Sequence, residues 1–305
     1  MPRFQKWLIG VEPDAPADDV ARGALAERLL AVSHFLDKSI GGSDEAEAIH
    51  QLRVWTRRAA AALKLFEPAL PNSQRKRMTK TLRKLRRRGG AVRDCDVHLE
   101  RLKNEHADVP ERVLGALKKQ RRQARERLKA LRRRLRKDDR FQLQIERLLE
   151  AVAWPKRHSS REAPPFASFC RQQLKPLVAE FFRLADADLR DDETLHALRI
   201  AGKRLRYALE LAPAVMPARI HHQLYESLDE VQDRLGEVVD QLAAMVHVRE
   251  WLDSMKKKRH RRKLRELFGR EEKRLEQLRA RLLRWWSPAR RARLRQRWQK
   301  ALSGA

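Results

Sequence analysis

An all-α fold assembled from two related halves is predicted by three features of the sequence. Leu, Ala, Arg, Glu, Lys and Gln dominate, while only 11 Gly and 13 Pro occur in 305 residues, the composition of long helices rather than sheets. Apolar residues recur at spacings of three and four along most of the chain. A stretch around residue 50 returns around residue 196 with the same order of histidine and cationic residues.

The net charge of +29 makes self-repulsion large unless something anionic relieves it, so a polyanionic partner is the first functional expectation. A hydrophobic fraction of 42% separates the chain from a disordered basic tail and is enough for one or two cores. Cys95 and Cys170 are too few for a disulfide framework or a thiolate metal site, which fits a reducing cytoplasm. The N-terminus lacks a signal-peptide run, and no uncharged stretch of about 18 residues occurs, so neither secretion nor a membrane span is expected.

Taken in order, Pro16-Ala-Asp-Asp opens a first helix, with acidic residues at the positive end of its dipole and Leu25, Leu29, Val32 and Leu36 facing inward until Gly41-Gly42. Ser43-Asp44-Glu45 opens a second, which ends near Pro68 and Pro71. Asn72-Ser73 caps a third whose inward positions are Met78, Leu82, Leu85, Gly89 and Val92, while Lys80, Arg83, Lys84 and Arg87 point elsewhere. The Gly89-Gly90 pair costs about 1 kcal/mol per glycine against alanine, and a bend or a close helix approach would offset it. A very basic fourth helix starts at Pro110, breaks near Asp138-Asp139 and resumes over residues 141–153. Residues 154–165, rich in Pro and Ser, read as a connector between halves at 1–153 and 166–305. The second half reads as helices over 166–187 (interrupted by Pro176), 191–212, 217–253 and 256–284, followed by a short helix or a frayed basic tail through Trp298.

The offset of 146 holds without a gap from Glu47/Glu193 to Asp94/Asp240 and includes His50/His196, Arg53/Arg199, Pro71/Pro217 and Gly90/Gly236. Paired His, Pro, Gly and Asp at one offset indicate duplication. Two copies are too few for a solenoid, and a duplicated bundle docked about a pseudo-two-fold axis is the simpler architecture. At about 100° per residue, His50, Arg53, Arg57 and Lys64 share one arc of the second helix, opposite Leu52, Trp55, Ala59, Leu63 and Phe66. In the other copy His196, Arg199, Lys203 and Arg206 share the matching arc, opposite Leu198, Leu205 and Leu209. Matching ribbons of this kind could line one groove or pore.

The pattern His50-x-x-Arg53-x-x-x-Arg57-Arg58, its copy His196-x-x-Arg199-x-x-x-Lys203-Arg204, and Arg93-Asp94-x-Asp96-Val97 after Gly89-Gly90 resemble the conserved histidine α-helical domain (CHAD) family over nearly the whole chain. The resemblance implies two pseudo-symmetric four-helix bundles around a basic central cavity that binds inorganic polyphosphate, often without catalysis. The ligand set it implies is His50, Arg53, Arg57, Arg58, His196, Arg199, Lys203 and Arg204. Lys64 and Arg206 join from the arcs, and Arg87 and Arg93 from the third helix. The second half departs from the pattern, with Val239-Asp240 in place of Arg93-Asp94. Glu210 stands where the first copy has Lys64, which predicts stronger binding by the first half.

Linear polyphosphate presents closely spaced negative charges and no base or sugar, and arginines at helical spacing supply forked donors along such a path. Charge runs are ordinarily solvated faces, and that reading covers Arg121-Arg122, Arg132-Arg133-Arg134 and Lys256 to Arg262. A lone histidine is ordinarily a packing residue, whereas two at matching positions beside arginine face a ligand, with affinity expected to rise below about pH 6.5. Asp94 and Asp96 diverge on a helix, so pairing with arginine is favoured over a metal site. Triphosphate-cleaving proteins that sometimes accompany the resembled family carry Glu-x-Glu-x-Lys on a strand. Glu45-Ala-Glu47-Ala-Ile49 is helical and lacks the lysine, and no phosphate-binding glycine loop or nucleophile-base pair is evident. The expectation is a protein without catalytic or metal residues and without a cofactor. It binds polyphosphate in the cytoplasm, with polyphosphate granules and their proteins as further partners. The alternative is a nucleic-acid-binding protein that stacks bases on Trp285, Trp286 and Trp298.

Overall fold

The computed structural model describes residues 4–105, 111–154, 162–254 and 258–303. Ten α-helices account for most of them: α1 (Ala17–Lys38), α2 (Glu45–Leu65), α3 (Asn72–Glu105), α4 (Glu111–Arg136), α5 (Arg140–Glu150), α6 (Phe166–Ala185), α7 (Asp192–Leu209), α8 (Ala218–Ser254), α9 (Lys258–Trp285) and α10 (Pro288–Ser303). Among the described residues there is no strand, only an isolated bridge between Pro16 and Pro165. None of these helices is long and apolar enough to cross a membrane.

The chain divides into two compact units that are discontinuous in sequence. The first takes Met1–Val97, Leu117–Leu174 and Tyr207–Pro217, and the second takes His98–Ala116, Lys175–Arg206 and Ala218–Ala305. Sequence periodicity places the core of the first unit correctly. Leu25, Leu29, Val32 and Leu36 of α1, and Leu52, Trp55, Ala59 and Leu63 of α2, are buried, as are Met78, Leu82, Leu85 and Val92 of α3. Each such Leu or Val contributes about 1.5–3 kcal/mol on burial. Phe66, just past α2, stacks on Phe166 and Phe169 of α6 with centroids 6.2 and 5.9 Å apart. Residues 13–17 bond residues 164–167 backbone to backbone, including Phe166 N–H to the Ala15 carbonyl at 2.9 Å.

Several boundaries differ from expectation. Asn72 is the first helical residue of α3 rather than its cap, and its Oδ1 accepts from the Arg75 guanidinium at 2.9 Å. The break at Asp138-Asp139 is real, with both residues at positive φ (54° and 49°). α6 continues through Pro176. The starts predicted at Pro110 and Lys256, and the connector residues 155–161, lie outside the described residues.

In the second unit Leu195, Leu198 and Leu205 of α7 pack inward, as do Leu224, Leu228, Leu235 and Val238 of α8 and Leu264, Leu267 and Leu282 of α9. The chain end is a helix rather than a frayed tail, because α10 carries Leu294 and Trp298 into this core. One buried polar cluster is closely paired. Arg101 donates to Gln241 at 2.7 Å and to Glu271 at 2.5 Å, and the Gln241 amide donates to the Glu271 carbonyl at 2.8 Å.

Candidate anion-binding site

Two clusters, one in each unit, are built on the same local device. In the first unit, α2 lies against α3 where Gly89 and Gly90 remove two side chains. A Cβ at Gly89 would touch Arg53 Cγ at 3.6 Å and Ile49 at 3.9 Å, and one at Gly90 would collide with Arg53 Nη1. The guanidinium of Arg53 therefore lies across the glycine backbone, with Asp94 one turn further on at 3.6 Å. In the second unit Arg199 of α7 crosses Gly236 of α8, where a Cβ would stand 3.2 Å from Nη2, and bonds Asp240 at 3.2 Å. Arg53/Arg199, Gly90/Gly236 and Asp94/Asp240 keep the repeat offset, so the duplicated glycines and aspartates are accounted for as the seat and the tether of an arginine. Both aspartates are mostly exposed (61% and 73%) and both arginines mostly covered (17% and 16%). Such a pair is worth about 0–1 kcal/mol, weak enough for a stronger anion to displace.

Around the first seat the α2 arc and α3 converge. His50, Arg57, Arg86 and Arg93 lie close enough to act on Arg53 or on one another electrostatically. Burial lowers the His50 imidazole below its ordinary range; Glu47 opposes this, and Arg93, Arg53 and Arg57 add to it. Among the described residues Arg57 and Arg93 form no ion pair. Lys64, at the far end of the arc, is exposed and pairs with Glu67 at 2.6 Å. Arg87 is exposed on α3.

The second cluster is leaner. His196 and Arg204 are exposed and Lys203 is half-buried. Arg206 is committed to α8, donating to Asp229 at 2.6 Å and to the Tyr225 hydroxyl at 3.1 Å.

The last arginine of the motif turns away in both copies. Arg58 makes a two-pronged pair with Glu210 (2.7 and 3.3 Å), its guanidinium 4.6 Å above the Trp55 ring, and Arg204 lies within reach of Glu180. Helix geometry supplies the reason, since consecutive residues differ by about 100° and only the first of two can share the arc with Arg53 or Arg199.

The family model described as the CHAD domain matches residues 23–249. The chain belongs to the CHAD family. Among solved structures, a CHAD domain from the plant Ricinus communis matches with a TM-score of 0.69 at 23% identity, over 92% of this chain and 96% of that one. PptA from Streptomyces chartreusis matches with a TM-score of 0.60 at 18% identity, over 89% of this chain and 99% of that one. Both likenesses concern the fold. No curated protein sequence matches the chain.

Within this CHAD protein, two expectations are corrected. Glu210 lies past the end of α7 and is buried against Arg58 in the first unit, so it does not weaken an α7 ribbon and gives no ground for unequal halves. Trp286 and Trp298 are buried, and the Trp285 ring is occupied by Trp286, stacked at 5.5 Å, and by Arg234 and Arg290 at 4.5 and 4.4 Å, which disfavours this group as a stacking platform. Asp94 and Asp96 pair with Arg53 and Arg121 respectively. Arg86 was overlooked, although it lies seven residues before Arg93 and so on the same side of α3.

The glycine seat is testable by itself. Gly90→Ala is expected to displace the flexible end of Arg53 rather than the helices. Helix propensity then favours the variant by up to about 1 kcal/mol while anion affinity falls about tenfold. Thermal melting and a binding titration read the two effects separately, and a loss of both would show that the seat is needed for packing.

Proposed function

We propose that this CHAD protein binds inorganic polyphosphate without cleaving it and brings the chain to polyphosphate-containing granules. The repeated arginine laid over a glycine carries this reading. It is a pre-oriented fork held by an exchangeable aspartate, and in the first unit it stands beside Arg57 and Arg93, which form no ion pair among the described residues. Phosphate oxygens fit such forks two at a time, and a polymer of phosphates fits several cations in a row. Membership in the CHAD family supports the same ligand.

Competition tests it. Labelled long-chain polyphosphate is bound at about 150 mM salt and challenged with single- and double-stranded nucleic acid. Polyphosphate is expected to be retained, and preferential release by either nucleic acid would replace this reading with the nucleic-acid one. Product analysis of the same samples with Mg²⁺ or Mn²⁺ is expected to show intact chains.

The pH dependence has a definite sign. A bound polyanion favours the charged imidazolium, so the His50 pKa is higher in the complex than in the free protein, where burial and Arg93, Arg53 and Arg57 lower it. Binding then takes up a proton, and affinity is expected to rise as pH falls through and below the ordinary histidine range near 6.5. A His50→Gln variant should flatten this rise. An unchanged slope in that variant would remove His50 charge from the account.

A further inference from the structure

The α2 arc is not the edge of the cationic surface in the first unit. Around the axis of α3, at about 100° per residue, Arg86 and Arg93 face α2, and Arg83, Arg87, Lys80 and Lys84 follow in turn over the next 160° or so. No acidic residue occurs between Asn72 and Arg93. Beyond Lys84 comes α4, whose Arg134 lies close enough to act electrostatically on the Lys84 ammonium. Desolvation first, then Arg134, Lys80, Arg87 and Arg83, push that ammonium below the ordinary lysine range. Lys80, Arg83, Lys84, Arg87 and Arg134 form no ion pair among the described residues. Like charges gathered without an acid between them cost stability in the free protein, and a polyanion laid over them would offset that cost.

We propose that a long polyphosphate chain held at the Arg53 seat continues over α3 onto a second track formed by Lys80, Arg83, Lys84 and Arg87 with Arg134 of α4. The inference rests on the polyphosphate reading above and adds a basis for chain-length preference. The path from the Arg86 side of α3 to Lys84 covers roughly 15 Å of the surface of a helix about 10–12 Å across. A tripolyphosphate at the seat is too short to reach Lys84, whereas a long chain reaches it and neutralises further cations. The occupant is a polymer without bases on chemical grounds. No Phe, Tyr or Trp occurs between Phe66 and Phe141, so neither helix offers the aromatic platforms on which single-stranded nucleic acid stacks.

The full chain carrying Arg83→Glu, Lys84→Glu and Arg134→Glu is compared with wild type for affinity to tripolyphosphate and to long-chain polyphosphate. A second variant with the same charge change on α10, at the exposed Arg293, Arg297 and Lys300, controls for net charge. At about 150 mM salt the Debye length is about 8 Å, so the reversed charges act locally. The expected result is about a tenfold loss for the long chain with a shallower salt dependence, tripolyphosphate affinity unchanged, and the α10 control like wild type. The neutral pair Lys84→Gln and Arg134→Gln should lose less in the same direction, and melting curves establish that each variant is folded. An unchanged long-chain affinity, equal losses for both ligands, or an equal loss in the α10 control each overturns the second track while leaving the seat intact. Failure of wild type to bind long-chain polyphosphate overturns the underlying reading instead. Displacement of the long chain from the track by single-stranded RNA at equal phosphate concentration overturns the choice of occupant.

Discussion

Removing the two seated arginines and their uncompensated neighbours is expected to reduce polyphosphate affinity by about a hundredfold or more, because each charge-assisted contact contributes about 1.5–3 kcal/mol. The substitutions follow from the local structure. Arg53 and Arg199 lie beside Asp94 and Asp240, so glutamate there would place two carboxylates together, and glutamine keeps a donor without the charge. Among the described residues Arg57 and Lys203 have no acidic partner, and they accept charge reversal to glutamate. The quadruple variant Arg53→Gln, Arg57→Glu, Arg199→Gln, Lys203→Glu should melt within a few degrees of wild type, since the aspartate pairs it loses are exposed on one side. Circular dichroism and a fluorescence titration at fixed salt check the two halves of this statement. Retained binding in a folded quadruple variant would mean that polyphosphate is held by the diffuse field of the whole surface, and the seats would then be structural only.

The largest effect on stability is expected at Glu210. Its side chain is almost wholly buried (1% exposed), holds Arg58 with two hydrogen bonds and lies within electrostatic range of Arg28. Arg28 is itself 1% exposed, and burial lowers its pKa to about 10. Glu210→Gln leaves Arg58 without its carboxylate in a poorly solvated place, while Arg28 keeps Glu27 at 3.8 Å, and breaking a buried pair from one side costs about 3–5 kcal/mol. Exchanging both members for apolar residues, Arg58→Met with Glu210→Leu, should recover much of that loss, because the desolvation of the pair is removed with it. Denaturant unfolding of the two singles and the double measures the coupling. A cost below about 1 kcal/mol for Glu210→Gln would show that water reaches the cluster.

What the sequence made legible follows from local geometry. The inward faces of α1, α2 and α3 could be read because a helix repeats every 3.6 residues whatever surrounds it. The arc through His50, Arg53 and Arg57 could be read for the same reason. The glycine seat was half legible: Gly89-Gly90 demanded a compensation, and the matching Gly236 pointed to a shared cause, but only the fold shows that the compensation is an arginine. Arg58 shows the limit of a motif. The pattern that carries the resemblance includes it, while its angle on α2 already separates it from Arg57, and its partner is 152 positions away. The terminal tryptophans could not be placed from sequence because a basic amphipathic helix looks alike whether its aromatics face a ligand or a core.

The same long-range pair orders events on the ribosome. Arg58 is made early, yet the carboxylate that neutralises it and the carbonyl of Glu210 that receives Leu8 N–H belong to a segment made much later. At about 5–20 residues per second, the 152 positions between Arg58 and Glu210 correspond to a wait of roughly 8–30 s. During that interval α2 holds Arg58 in a half-built core without its counter-ion. The first unit is therefore completed only after two segments of the second, His98–Ala116 and Lys175–Arg206, have already been made.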